Sequence, residues 1–157
     1  MTDSSIESDL LTEAFFTGLP PTAITFLAGC ASQRQIHKDD ILFHHGQRAD
    51  RFYLLQHGCI SIEVVAIEGP SLELQSLGPG KILGWSWLIP PYSWHFQARV
   101  EEPGHVIEFD GEAILAHCEA DAEFGYALLK RFSALMSRRL EYAREKMMNE
   151  WRPPGFA

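Results

Sequence analysis

Between positions 84 and 96 the chain places Gly84, Trp85, Ser86, Trp87, Tyr92, Trp94, His95 and Phe96, so three of its four tryptophans fall in one short segment. Aromatic faces stack on planar rings and hold cations over their π-surface, while Ser86 and His95 add hydrogen-bonding groups beside them. The chemistry available here is recognition of a small molecule. The same density would also serve to fill an internal space and stiffen the loop.

Catalytic chemistry is harder to find. His44 and His45 are adjacent, so on a strand they point to opposite faces, and no His-x-His pair precedes a glutamate. His57 and His105 sit at turn signals. A metalloenzyme of the cupin type needs histidines and a carboxylate converging inside a β-roll, which this spacing does not provide. Neither a Gly-x-Ser-x-Gly elbow nor a Walker loop occurs. Cys30, Cys59 and Cys118 form no Cys-x-x-Cys pair and lie among apolar neighbours, as free, buried thiols would. The chain therefore reads as a binding protein, not an enzyme.

The elements that position the segment fit one domain of 157 residues, 46% hydrophobic. The formal charge of −8 disfavours general binding to polyanions. Residues 1–121 carry 6 basic and 17 acidic groups and residues 122–157 carry 7 and 4, so the C-terminal part is the basic part. Its Lys130, Arg131, Arg138, Arg139 and Arg144 read as the solvated face of a helix, and no DNA partner is expected. The apolar run from Ala23 to Ala31 is too short to span a membrane, and the acidic, serine-rich start is unlike a signal peptide. A cytoplasmic protein without a membrane partner is expected.

Along the chain, Leu10, Leu11, Ala14 and Phe15 at helical spacing predict a first helix running up to Gly18, and Pro20-Pro21 open a second through Leu27. Residues 1–31 form this lead-in. From 32 to 110 short runs predict strands at 41–43, 52–55, 60–65, 72–77, 96–100 and 106–109, broken by turn signals that include His57-Gly58 and Pro103-Gly104. Such spacing suits a jelly roll. Asp110 is a candidate cap for a helix to Cys118, and a long helix follows from about Asp121 to Glu150, completing a helical region 111–150. Its line Leu129, Phe132, Met136, Leu140, Ala143, Met147 adjoins a second line, Leu128, Leu135, Tyr142. One stripe can pack on the β core and the other on the same helix of a second subunit, giving a homodimer. Alternatively both form one broad face on the chain's own core. Pro153-Pro154 end the helix before a short tail, 151–157.

The stretch Ile41 to Ile62, ILFHHGQRADRFYLLQHGCISI, resembles the cyclic-nucleotide-binding domain family, the jelly-roll sensor of the catabolite activator protein, its oxygen-sensing relatives and kinase regulatory subunits. Gly46 stands at a family turn, Ala49-Asp50 precede the strand Phe52 to Leu55, and Gly58 is expected to make a tight hairpin before Cys59. The likeness extends from about Phe15 to Met148. It implies a mainly β fold, a double-stranded β-helix (jelly roll) with two short N-terminal helices and a long C-terminal helix. The helix-turn-helix of the transcription-factor branch and the N-terminal cysteine cluster of the oxygen sensors are not expected.

The family's binding segment resembles Gly78 to Ala98. There a glycine and a glutamate open a short helix, the glutamate takes the ribose 2′-hydroxyl, and an arginine about ten residues on pairs with the cyclic phosphate. Here Gly84 keeps the glycine, Trp85 stands at the glutamate's place and Trp94 at the arginine's, with His95 next to it. Losing the charged fork should cost about 2–4 kcal/mol of cyclic-nucleotide binding. Backbone N–H groups from Trp85 to Trp87, with Ser86 and His95, would still favour an anion. The resemblance thus implies a regulatory sensor with ligand residues Gly84, Trp85, Ser86, Trp87, Trp94, His95 and Phe96. Its effector is a cyclic nucleotide or another small molecule, with no metal, and it signals through the C-terminal helix to a second subunit or a partner protein. The alternative is a ligand-free interaction module whose pocket the aromatics fill.

Overall fold

The computed structural model describes residues 2–150; the tail expected at 151–157 lies outside them. In chain order the elements are α1 (Thr2–Leu11), a 3-10 turn (Ala14–Phe16), α2 (Pro21–Gly29), β1 (Ala31–Ile36), β2 (Ile41–Phe43), β3 (Arg51–Val64), β4 (Leu72–Leu77), β5 (Ile82–Leu83), β6 (Gln97–Asp110), α3 (Gly111–Ala120) and α4 (Ala122–Glu150). No helix among the described residues is long and apolar enough to cross a membrane.

Two strands of 14 residues, β3 and β6, pair antiparallel along their length and carry the architecture. Their pairing shifts register between Leu55 and Ile60, which divides each strand into two halves. Arg51–Leu55 and Gly104–Asp110 lie between β1 on one side and β5 on the other. Cys59–Val64 and Gln97–Glu102 lie between β2 and β4. Two four-stranded antiparallel layers joined by bent strands are the jelly roll. Apolar side chains at alternate positions fill it, among them Phe52, Leu54, Ile60, Val100, Ile107 and Phe109.

The bend corrects one expectation. His57-Gly58 and Pro103-Gly104 are not hairpin turns; both pairs lie inside the long strands and face each other across them. Gly58 has φ +107° and a Cβ there would stand 2.7 Å from the Glu102 carbonyl oxygen, while a Cβ on Gly104 would overlap the His57 carbonyl. The glycines let two backbones cross in a paired bulge. His57 and His105 accordingly sit on strands, their rings 4.6 Å apart.

The lead-in also differs from its expectation. α1 stops at Leu11, where the Thr12 hydroxyl and N–H both donate to Asp9 O, and Ala14–Phe16 form a separate turn. This directs Phe15 edge-on to Phe132 at 5.0 Å and Phe16 onto Phe109 at 5.8 Å. β1 has the polar sequence ASQRQI with only Ile36 buried, and β5 has two residues; both form by pairing with a long strand. Cys30, Cys59 and Cys118 are unpaired and each is half-buried, not fully buried as expected. Burial is the first cause raising each thiol pKa, that of Cys118 to about 11.

The helical end follows its caps. Asp110 Oδ1 accepts from Ala113 N at 3.2 Å to start α3, and Asp121 Oδ1 accepts from Phe124 N at 3.1 Å to start α4. Along α4, Phe124, Leu128, Phe132 and Leu135 are buried, but from Met136 to Glu150 no side chain is fully buried. Both predicted apolar lines therefore contribute to one inner face, while Tyr126, Leu129, Leu140 and Met147 are left exposed on a neighbouring one. Three cations tie α4 to the body through backbone carbonyls: Arg131 donates to Phe15 O and Thr17 O, Arg139 to Ile82 O, and Lys146 to Glu73 O. Arg131 and Arg139 thus belong to the docked side of the helix, not to the solvated face expected of them.

Candidate ligand site

β5 ends at Leu83, and the chain leaves it through Gly84 at φ +100°, a backbone conformation that glycine reaches without penalty. The turn aims the next residues into the space between β2, β4 and α4. The short helix expected at Trp85 to Trp87 is a single turn, closed by Leu88 N donating to Trp85 O at 3.0 Å. With so few aligned N–H groups it offers little of the anion-binding field of a helix start.

Here a cavity of about 230 Å³ opens. Phe43 and Ile62 form one wall, Leu74 and Gln75 of β4 another, and Leu83, Gly84, Trp85, Ser86, Trp94 and Phe96 the floor. Met136, Arg139, Leu140, Tyr142 and Ala143 of α4 close it from above. Gly84, Trp85, Ser86, Trp94 and Phe96 therefore share the cavity. Trp87 does not: it is 1% exposed, stacks on Phe52 at 5.0 Å and meets Phe132 edge-on, and its Nε1–H has no acceptor among the described residues. His95 is exposed and outside the lining.

Trp94 is the most constrained member. It is 4% exposed and lies flat on Phe43, ring centroids 3.7 Å apart and planes 10° from parallel. Its Cη2 would stand 2.6 Å from a Cβ on Gly84, so the glycine is needed for the indole's space as well as for its φ. Trp85, half-buried, meets Phe96 edge-on at 6.4 Å and carries the Arg139 guanidinium 5.2 Å above its ring.

Among the described residues, Arg139 is the only charged one in the lining. Burial first, and then the neighbouring positive charge of Arg138, lower its pKa to about 10. It is in no ion pair among the described residues, and its single hydrogen bond there goes to Ile82 O. A basic run on a long helix hides this residue from a reading by charge. Its spacing of three from Met136 and four from Ala143 is the signal that places it on the inward apolar line.

Comparison with known proteins fits this geometry. A family model described as the cyclic nucleotide-binding domain matches residues 33–121. A chain of Geobacter metallireducens, provisionally named a cyclic nucleotide-binding protein, has a similar fold with TM-score 0.78 and 24% identity over 85% of this chain and 97% of that one. A cyclic nucleotide-binding domain from Methylobacillus flagellatus gives 0.79 and 14% over 98% and 86%. The sensor domain of the transcriptional regulator DNR from Pseudomonas aeruginosa gives 0.71 and 20% over 88% and 93%. A search of curated proteins gave no match. The family match takes in β2 to β6, the aromatic loop and α3, and on it this chain belongs to the cyclic nucleotide-binding domain family.

Proposed function

We propose that the protein is a regulatory sensor that binds a small effector in the cavity between the roll and α4 and passes the signal on through α4. It acts by binding, not by catalysis. The observation that carries this reading is the composition of the cavity wall: five lining residues come from α4, within the stretch of that helix that has no fully buried side chain. An occupant must touch both the rigid roll and the weakly held helix end. A helix end held by few buried contacts has closely spaced alternative positions, and a ligand favouring one of them shifts the population. Hydrogen exchange of α4 tests this. Ligand binding is expected to change protection in residues 136–150 while β3 and β6 stay unchanged; binding that leaves α4 untouched would remove the signalling arm.

Cyclic AMP in the family's usual pose is not the favoured effector. By the family resemblance, Trp85 and Trp94 replace its two polar anchors, and Trp94 is packed flat on Phe43. The second reading, a constitutive interaction module with a filled pocket, draws on that same packing. In either case the exposed face of α4 bearing Tyr126, Leu129, Leu140 and Met147 supports a homodimer built on this helix. Sedimentation at tens of micromolar should give twice the monomer mass, and a monomer there would end the dimer proposal.

A further inference from the structure

Resting on the sensor reading, we infer that the effector is a small apolar molecule carrying one carboxylate, and that Arg139 is the residue that binds the carboxylate. The cavity supplies both halves of the argument. Most of its wall is hydrocarbon or aromatic: Phe43, Ile62, Leu74, Trp85, Trp94 and Leu140. A ligand rich in hydroxyls would leave most of its polar groups without partners there, at a cost for each group buried unpaired. The volume of about 230 Å³ lies below that of a site for a drug-sized ligand and suits a molecule of one or two rings or a short alkyl chain.

Against this apolar wall stands one cation. The guanidinium of Arg139 is spread over Trp85, uses one hydrogen bond on Ile82 O, and has no carboxylate partner among the described residues. Its remaining N–H groups are arranged as the fork that grips a carboxylate through two parallel hydrogen bonds. Burial already weakens its hold on the proton, so a bound anion would restore the charge balance that the protein leaves open. Because Arg139 sits on α4, a carboxylate that engages it either tightens or replaces the tie to Ile82 O. The ligand then acts on the same contact that docks the helix.

The test is calorimetric titration of the full chain with phenylacetate, indole-3-acetate and octanoate, with phenylacetamide as the uncharged counterpart and cyclic AMP in parallel. At least one carboxylate is expected to bind, phenylacetamide at least tenfold more weakly than phenylacetate, and Arg139→Met is expected to lower carboxylate affinity at least tenfold. Arg139→Lys, which keeps the charge and loses the fork, should fall between. Circular dichroism checks that both variants fold; should Arg139→Met fail to, Arg139→Lys and the amide comparison decide. Carboxylates binding equally to wild type and Arg139→Met, or the amide binding as well as the acid, would overturn the role of Arg139. No carboxylate binding, with cyclic AMP binding, would overturn the ligand class and leave the sensor reading standing. Carboxylate binding without altered exchange in α4 would do the reverse, and no binding by any of these probes would overturn the ligand class.

Discussion

Replacing Gly104 with alanine is expected to destabilise the protein by about 3–5 kcal/mol, a large part of the stability of a domain this size. A Cβ at this position has nowhere to go, because it would overlap the His57 carbonyl, and behind that lies the backbone N of Gly58. Flexible side chains can move aside; two paired strands cannot do so without breaking the bulge. Gly58→Ala should act in the same direction, since its φ of +107° adds strain to the 2.7 Å approach of Glu102 O. The loss should appear as a fall in melting temperature of roughly 10 °C or more. Gly29→Ala is the control: it closes α2 with no atom within 4 Å of the new Cβ, and its melting temperature should stay close to wild type or rise. A Gly104→Ala variant melting within two or three degrees of wild type would mean that the strands do not cross as closely as described. The consequence reaches the ligand site, because Ile62 of the cavity wall lies on β3 just beyond the crossing, and Phe43 and Leu74 lie on the strands paired with β6 and β3 there.

How much of this was legible follows from what each element is made of. The strand stretches with buried β-branched or aromatic residues, such as Phe52 to Leu55 and Ile60 to Ile62, announce themselves through pattern, and α3 through its cap Asp110. The edge strand β1, with its polar sequence, forms only because β6 offers it a row of hydrogen-bonding groups, and nothing local reports that. Gly58 and Gly104 mislead for a related reason. Glycine next to proline or histidine is a turn signal when read alone, whereas here each glycine exists because of the other, 46 positions away. At the site, the loop 84–96 stood out by its aromatic content. The division of its members between cavity, core and solvent depends on φ at Gly84 and on which layer each side chain meets. Trp87 and Trp94 are alike in sequence terms, yet one lies beneath Phe132 and the other faces the cavity. Arg139 was visible as a charge but not as the sole charge of a pocket, since that requires knowing what surrounds it.

Trp94→Ala is expected to cost about 3–5 kcal/mol and to enlarge the cavity, because a stacked, nearly buried indole leaves a void that the roll cannot close. Its partner in this effect is Gly84. Alone, Gly84→Ala should cost about 2–4 kcal/mol, from the strain at φ +100° and from the overlap with Trp94 Cη2. In the Trp94→Ala background the overlap is gone and only the backbone strain remains, about 1–2 kcal/mol. The two substitutions should therefore be less than additive, and a double-mutant cycle from thermal or urea unfolding measures the difference. Strict additivity would mean that the indole does not depend on the glycine for its space. The same position tests what became of the family's phosphate seat. Trp94→Ala gives cyclic AMP room but puts no cation at position 94, leaving Arg139 as the cavity's cation, so its melting temperature should respond to the nucleotide less than that of Trp94→Arg. Trp94→Arg buries an unpaired guanidinium and should melt lower still, yet regain stability as millimolar cyclic AMP supplies the missing anion. If Trp94→Arg responds to cyclic AMP no more than Trp94→Ala does, the indole does not occupy the phosphate's place. If it responds more strongly, the indole of Trp94 stands where the family's cyclic phosphate would sit, and an arginine there restores one of the two polar anchors that Trp85 and Trp94 replace.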